Sequence, residues 1–162
     1  FGCRILANGH HLNPEVQRLA EQVDLETLLE QSDIVVLHCP MSEQNYHMIN
    51  AGTIQKMKPG ALLVNTARGG LVDTKAVYEA LQSGRLGGFA MDVYEYEDQT
   101  ARKDYRGKQL DDPLLASLLA MDQVIFTTHT AFYTDQAIEN IVESSLENLN
   151  SFFRTGESEN EI

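Results

Sequence analysis

The feature that most constrains the fold is an alternation. Apolar runs of strand length recur along the chain, and segments with helical spacing and capping residues separate them. Arg4 to Asn8, Asp33 to His38, Ala61 to Thr66, Gly88 to Asp92 and Val124 to Phe126 read as strands. Pro14 suits the first turn of a helix running to about Ala20. Asp24 caps a helix from Leu25 to about Gln31, and Asn50 caps one from Ala51 to Met57. Asp73 caps a helix to Gln82 with Ala76, Val77, Ala80 and Leu81 inward, and Gly84 closes it. Pro113 opens a helix to about Ala120 after a long polar loop, Tyr94 to Asp112. Thr134 caps a long helix, Asp135 to Arg154, with Ile138, Ile141, Val142, Leu146 and Leu149 on one stripe. Strands joined through helices run parallel, because a parallel neighbour needs a crossover. The expected class is α/β, a parallel sheet with helices on both faces.

Composition narrows the partners. The 162 residues suffice for one domain with a substantial core. A formal net charge of -12 argues against nucleic acid or an anionic membrane surface. No apolar run approaches the ~20 residues needed to span a bilayer, and no Cys/His cluster has zinc spacing, so no metal is expected. Cys3 and Cys39 lie beside apolar runs and read as reduced core thiols in a cytoplasmic protein. The chain starts at Phe1 without a signal peptide pattern, which reads as processed or truncated.

Within this frame, Val64 to Asp73 (VNTARGGLVD) carries the chemistry. It sets Arg68 at the carboxyl end of a strand, where open parallel sheets hold ligands. In an acidic chain, an anionic ligand needs such a local cation. Gly69 and Gly70 are expected to let the backbone turn sharply and approach a ligand. Glu97 lies in the loop after the strand ending at Asp92, and His129 follows the strand ending near Thr128. The three are expected on one sheet edge. A guanidinium binds a carboxylate bidentately and polarises the neighbouring carbonyl. A histidine can protonate a carbonyl oxygen as hydride reaches its carbon, and a nearby carboxylate favours the imidazolium form. Each residue alone has a structural alternative: an ion pair for Arg68, a solvated acidic run for Glu97, a satisfied strand-end histidine for His129.

The chain resembles the D-isomer-specific 2-hydroxyacid dehydrogenases, in particular their D-lactate branch. The resemblance rests on Ser32 to Pro40 (SDIVVLHCP), Val64 to Asp73, Gly88 to Glu95 (GFAMDVYE) and Thr128 to Thr134 (THTAFYT), with Lys103 to Lys108 marking the branch. It implies a Rossmann-like fold, NAD as cofactor, and a small 2-keto or 2-hydroxy acid as substrate. It implies Arg68 as the carboxylate anchor, His129 as the acid/base and Glu97 as its carboxylate partner. Glu95 rivals Glu97, but the family's acid stands five positions beyond the strand-end aspartate. Asp92 would contact the nicotinamide carboxamide, and Cys39, Pro40, Thr66 and Ala67 would line the cofactor cleft.

The sequence departs from that family in two respects. No G-x-G-x-x-G occurs, and the resemblance places that pyrophosphate loop and the first strand upstream of Phe1. Residues 1–132 then read as a nucleotide-binding domain lacking its first βα unit. Residues 133–162 read as the crossover helix and tail of a substrate domain, with part of the helix's apolar face uncovered. Second, Gly9 stands where a ribose-binding aspartate is expected, followed by His10 and His11. Gly9 and His10 are therefore cofactor-site candidates, with NADP tolerance as an opening. The expected function is reversible NAD-dependent reduction of a pyruvate-like 2-keto acid to the D-2-hydroxy acid by a homodimer. The alternative is a catalytically incomplete fragment or a nucleotide-sensing interaction module.

Overall fold

The computed structural model describes residues 2–9, 14–100, 108, 110–158 and 160. In chain order the elements are β1 (Leu6–Ala7), α1 (Pro14–Leu19), β2 (Glu21–Gln22), α2 (Leu25–Gln31), β3 (Ile34–Leu37), α3 (Ala51–Ile54), β4 (Ala61–Asn65), α4 (Thr74–Gln82), β5 (Leu86–Met91), α5 (Glu97–Thr100), α6 (Pro113–Leu119), β6 (Val124–Phe126) and α7 (Asp135–Thr155). Two compact units divide the chain, Phe1–Thr128 and His129–Ile162.

Every strand pairing in the first unit is parallel. Strands β1 and β2 form a small sheet, and β3-β4-β5-β6 form a four-stranded one in sequence order. The expected caps form. Asp24 accepts from the Thr27 N–H, Asn50 from Gly52 and Thr53, and Asp73 from Ala76. Asp112 accepts from Leu114 and Leu115, ahead of Pro113 at the start of α6. The core gathers on one face of the larger sheet, where Val35, Leu37, Leu63, Phe89 and Met91 pack with Leu29, Ile54, Val77, Leu81, Leu115 and Leu118 of the helices.

The other face corrects the expectation of helices on both sides. Ile34, Val36, Leu62 and Ile125 are 55%, 45%, 41% and 67% exposed. Register puts Ile34 beside Leu62, Val36 beside Val64, Val64 beside Ala90 and Ala90 beside Ile125, so they share one apolar, open face. A continuous apolar run reads as buried on both faces, and nothing in its spacing tells which face is covered. Strand β2 carries no sequence signal, since Glu21–Gln22 is two polar residues paired to β1 without an apolar alternation. Helix α3 ends at Ile54 rather than Met57. The Lys56 and Met57 N–H groups turn back to Thr53 and Ile54, tightening the chain ahead of Pro59. The expected loop from Tyr94 contains α5, and most of the Lys103 to Lys108 stretch lies outside the described residues. Cys3 is exposed and not a core thiol, whereas Cys39 is half-buried with its sulfur 3.8 Å from that of Met48.

Helix α7 makes up most of the second unit. The Thr134 hydroxyl accepts from the Ala137 N–H at its start, and Gly156 closes it in the left-handed region at φ 76°. Its apolar stripe, Ile141, Val142, Leu146, Leu149 and Phe152, is exposed.

Candidate active site

Parallel strands end on one edge, and here they end in register. Leu37 pairs with Asn65, Asn65 with Met91, and Met91 with Phe126. The residues that follow therefore form one rim: His38 to Pro40 after β3, Thr66 to Arg68 after β4, Asp92 after β5 and Thr127 after β6. Such a carboxyl rim is where open α/β sheets bind ligands.

A buried amide shapes the Arg68 turn. Asn65 is 1% exposed; its Nδ2 donates to the Arg68 carbonyl at 2.9 Å and its Oδ1 accepts from the Ala67 N–H at 3.1 Å. Arg68 is exposed, its Nη1 donates to the Ala67 carbonyl at 2.7 Å, and among the described residues no carboxylate pairs with it. Thr66 is exposed beside it and Ala67 half-buried. The motif marks this segment, but Asn65's role shows only in the structure. Its signal was a polar residue at an inward position after Leu63, two residues along the strand.

The glycines that follow do not have the role expected of them. Neither Gly69 nor Gly70 has a left-handed φ. A Cβ on Gly69 would lie 2.2 Å from the Tyr94 carbonyl carbon and oxygen, and one on Gly70 2.6 Å from the Met41 sulfur. Protein atoms, not ligand space, occupy the volume these glycines leave. Gly69 thus seats the Arg68 turn directly on the backbone of the turn that leads to Glu97.

That second turn begins at Asp92, which is 5% exposed. Asp92 donates its N–H to the Asn65 carbonyl at 3.0 Å and accepts from the Thr127 hydroxyl at 2.5 Å, so Thr127 orients its carboxylate. Glu97 opens α5, and its Oε2 accepts from the Tyr94 N–H at 3.2 Å. The buried Tyr94 hydroxyl donates to Asp112 at 2.6 Å, and burial raises its pKa. The Glu95 side chain is only 3% exposed and bound to His47 at 2.6 Å. Burial acts to raise Glu95's pKa, but hydrogen bonds from Thr74 and His47 outweigh it and hold the carboxyl below its ordinary 4.5. Glu95 is thus committed to holding His47 and the start of α4.

The remaining candidates divide. Cys39 and Pro40 stand on the rim, and Asn45 pins their loop by donating to the Pro40 carbonyl at 2.8 Å. Gly9 is exposed just beyond β1 in the small sheet, and His10 lies outside the described residues. His129 is the first residue of the second unit, exposed, at φ 55°. A histidine in the left-handed region is uncommon, and such backbone recurs at functional sites.

Comparison with known proteins assigns this architecture. Residues 1–131 match the family model described as D-isomer specific 2-hydroxyacid dehydrogenase, NAD binding domain. A D-lactate dehydrogenase of Curvularia clavata is 46% identical over 152 residues, covering 94% of this chain and 44% of the relative. A D-specific alpha-keto acid dehydrogenase of Enterococcus faecalis is 46% identical, covering 96% and 47%. Among solved structures, a D-lactate dehydrogenase from Sporolactobacillus superposes with a TM-score of 0.95 at 34% identity, over 99% of this chain and 48% of that one. The chain belongs to the D-isomer-specific 2-hydroxyacid dehydrogenase family, through its NAD-binding domain. It spans about half the length of the curated relatives it matches.

The rim fits one half of NAD. Asp92 presents a buried, oriented carboxylate of the kind that accepts from a carboxamide, with Thr66, Ala67, Cys39 and Pro40 along the same edge. The pyrophosphate half has no glycine-rich loop in this sequence, and the Gly69-Gly70 pair is filled by protein. No described helix is long and apolar enough to cross a membrane.

Proposed function

We propose that the protein carrying this sequence reduces a small, pyruvate-like 2-keto acid reversibly to the D-2-hydroxy acid. The observation that supports this most is the in-register rim, which carries an exposed guanidinium that pairs with no carboxylate among the described residues and, on the same edge, an oriented buried aspartate. The names of the relatives supply the substrate class. Arg68 binds the substrate carboxylate through two parallel N–H···O bonds and draws electron density from the adjacent carbonyl. His129 gives a proton to the carbonyl oxygen and recovers it in the reverse direction, with Glu97 as the carboxylate that favours its charged form. Bound NADH supplies the hydride. Asp92 orients the carboxamide, and Thr66, Ala67, Cys39 and Pro40 line the cleft. Gly9 and His10 remain proposed for the adenosine end, with NADP tolerance as a corollary. A homodimer in the cytoplasm belongs to the same proposal.

The test is titration of the protein with NADH and pyruvate, followed by cofactor fluorescence and absorbance. His129→Gln is expected to lower kcat by roughly 10²–10⁴-fold. Arg68→Gln is expected mainly to raise KM, by roughly a hundredfold, as loss of about 3 kcal/mol of charge-assisted bonding implies. Unchanged kinetics in both variants would remove these roles. The absent glycine-rich loop favours a second reading, in which residues 1–162 alone bind no cofactor. Tight NADH binding and turnover by that chain would exclude it.

A further inference from the structure

One histidine–carboxylate contact, with the carboxylate buried, stands outside the proposed chemistry. His47 Nε2 lies 2.6 Å from Glu95 Oε1, and because an ionised carboxylate only accepts, the imidazole donates. The Tyr46 hydroxyl donates to the same oxygen at 3.2 Å, and its ring stacks on that of His47 with centroids 3.9 Å apart. Glu95 Oε2 accepts from the N–H of Thr74, the first residue of α4, at 3.1 Å. His47 sits at φ 52°, and its N–H donates to the Gly70 carbonyl at 2.8 Å. Gly69 lies flat on the Tyr94–Glu95 backbone. Three segments meet here: the loop after β3, the turn after Arg68 and the turn before Glu97.

A buried carboxylate is costly unless its acceptor sites are filled. A filled network of this kind fixes geometry. Glu95 stands two residues from Glu97; its partner His47 holds the carbonyl of Gly70, two residues after Arg68, and its partner Thr74 opens the helix that the Arg68 turn leads into. We propose that Glu95 is a positioning residue which, gripped by His47, Tyr46 and Thr74, holds the Arg68 turn and the Glu97 turn at a fixed separation. It touches no substrate and acts through the two turns it joins. The role rests on the reading that Arg68 and Glu97 serve one 2-keto acid.

The test compares the unaltered protein with Glu95→Gln and His47→Gln. Glu95→Gln keeps the size but sets an amide N–H₂ against donors, whereas His47→Gln can still offer an N–H near Nε2. In Glu95→Gln, amides of residues 69–74 and 93–97 are expected to exchange with deuterium about tenfold or more faster. Those of α2 and of the β4–β5 pairing should stay unchanged. His47→Gln should lie close to the unaltered protein. Kinetically, Glu95→Gln should raise KM for pyruvate and lower kcat together, by up to about a hundredfold in kcat/KM, as misplaced groups do. Its affinity for NADH should hold. A purely structural role would lower the melting temperature and leave KM in place.

Unchanged local exchange, or exchange quickened evenly across the sheet, would overturn the proposal. If Glu95→Gln does not fold, His47→Ala should give the same local pattern, and a flat exchange map in it also overturns it. The two readings fail differently. An unaltered protein inactive on 2-keto acids sinks the functional reading, and exchange still decides the link between the turns. Full activity in Glu95→Gln beside a raised KM in Arg68→Gln and a lowered kcat in His129→Gln sinks only the positioning role.

Discussion

Asn65, Gly69 and Glu95 show how much of the proposed site depends on residues that touch no ligand. Asn65 folds the turn that presents the guanidinium, and Gly69 lets that turn rest on its neighbour. Gly69→Ala is expected to cost roughly 1–3 kcal/mol, because the added methyl meets backbone that must move. It should also lower kcat/KM. Gly9→Ala, with nothing within 4 Å and an ordinary φ, should be neutral. Chemical denaturation of both variants checks this, and equal midpoints would contradict it. Glu95 adds a pH signature. Its carboxyl is held below 4.5 when folded, so the stabilisation is complete above that value and lost as pH falls through the lower folded value. The gap in melting temperature between the unaltered protein and Glu95→Gln should narrow below pH 4.5. A gap that widened there would reverse the sign of the argument.

At the scale of elements, capping residues were the most legible signal, because they act within one turn of themselves. Asp24, Asn50, Asp73 and Thr134 each accept the backbone N–H expected of a helix start. Asn50 does more. Its Nδ2 donates to the His47 carbonyl at 2.8 Å and its N–H to the Thr53 hydroxyl at 2.8 Å, so it joins α3 to the turn that carries His47. Asn50→Ala should therefore cost about 1–2 kcal/mol, the upper part of the range for a lost cap. A thermal melt indistinguishable from that of the unaltered protein would sink this. Strand β2 and the shortened α3 were not legible. A two-residue polar strand exists only through its partner, and a tightened last turn depends on where the chain must go next.

Across the whole molecule, each unit exposes apolar surface. In the first it is the sheet face of Ile34, Val36, Leu62 and Ile125; in the second it is the stripe of α7. Contiguous patches of this kind mark contact surfaces. The 162-residue chain should bind a fluorescent apolar dye and sediment above its 18.1 kDa monomer mass as concentration rises. A dye-silent monomer at every concentration would contradict that expectation. The parallel α/β class, the capped helices and the family were legible in sequence, because periodicity, caps and contiguous motifs are local. Tertiary structure decided what depends on segments distant in sequence. It left one sheet face open and brought Gly69 against Tyr94 rather than a ligand. It buried Glu95 on His47, 48 residues away, and so separated two acids that stand two positions apart in the same run. Spacing can name residues that suit a chemistry. Which of them is spent on holding the fold depends on partners from other elements.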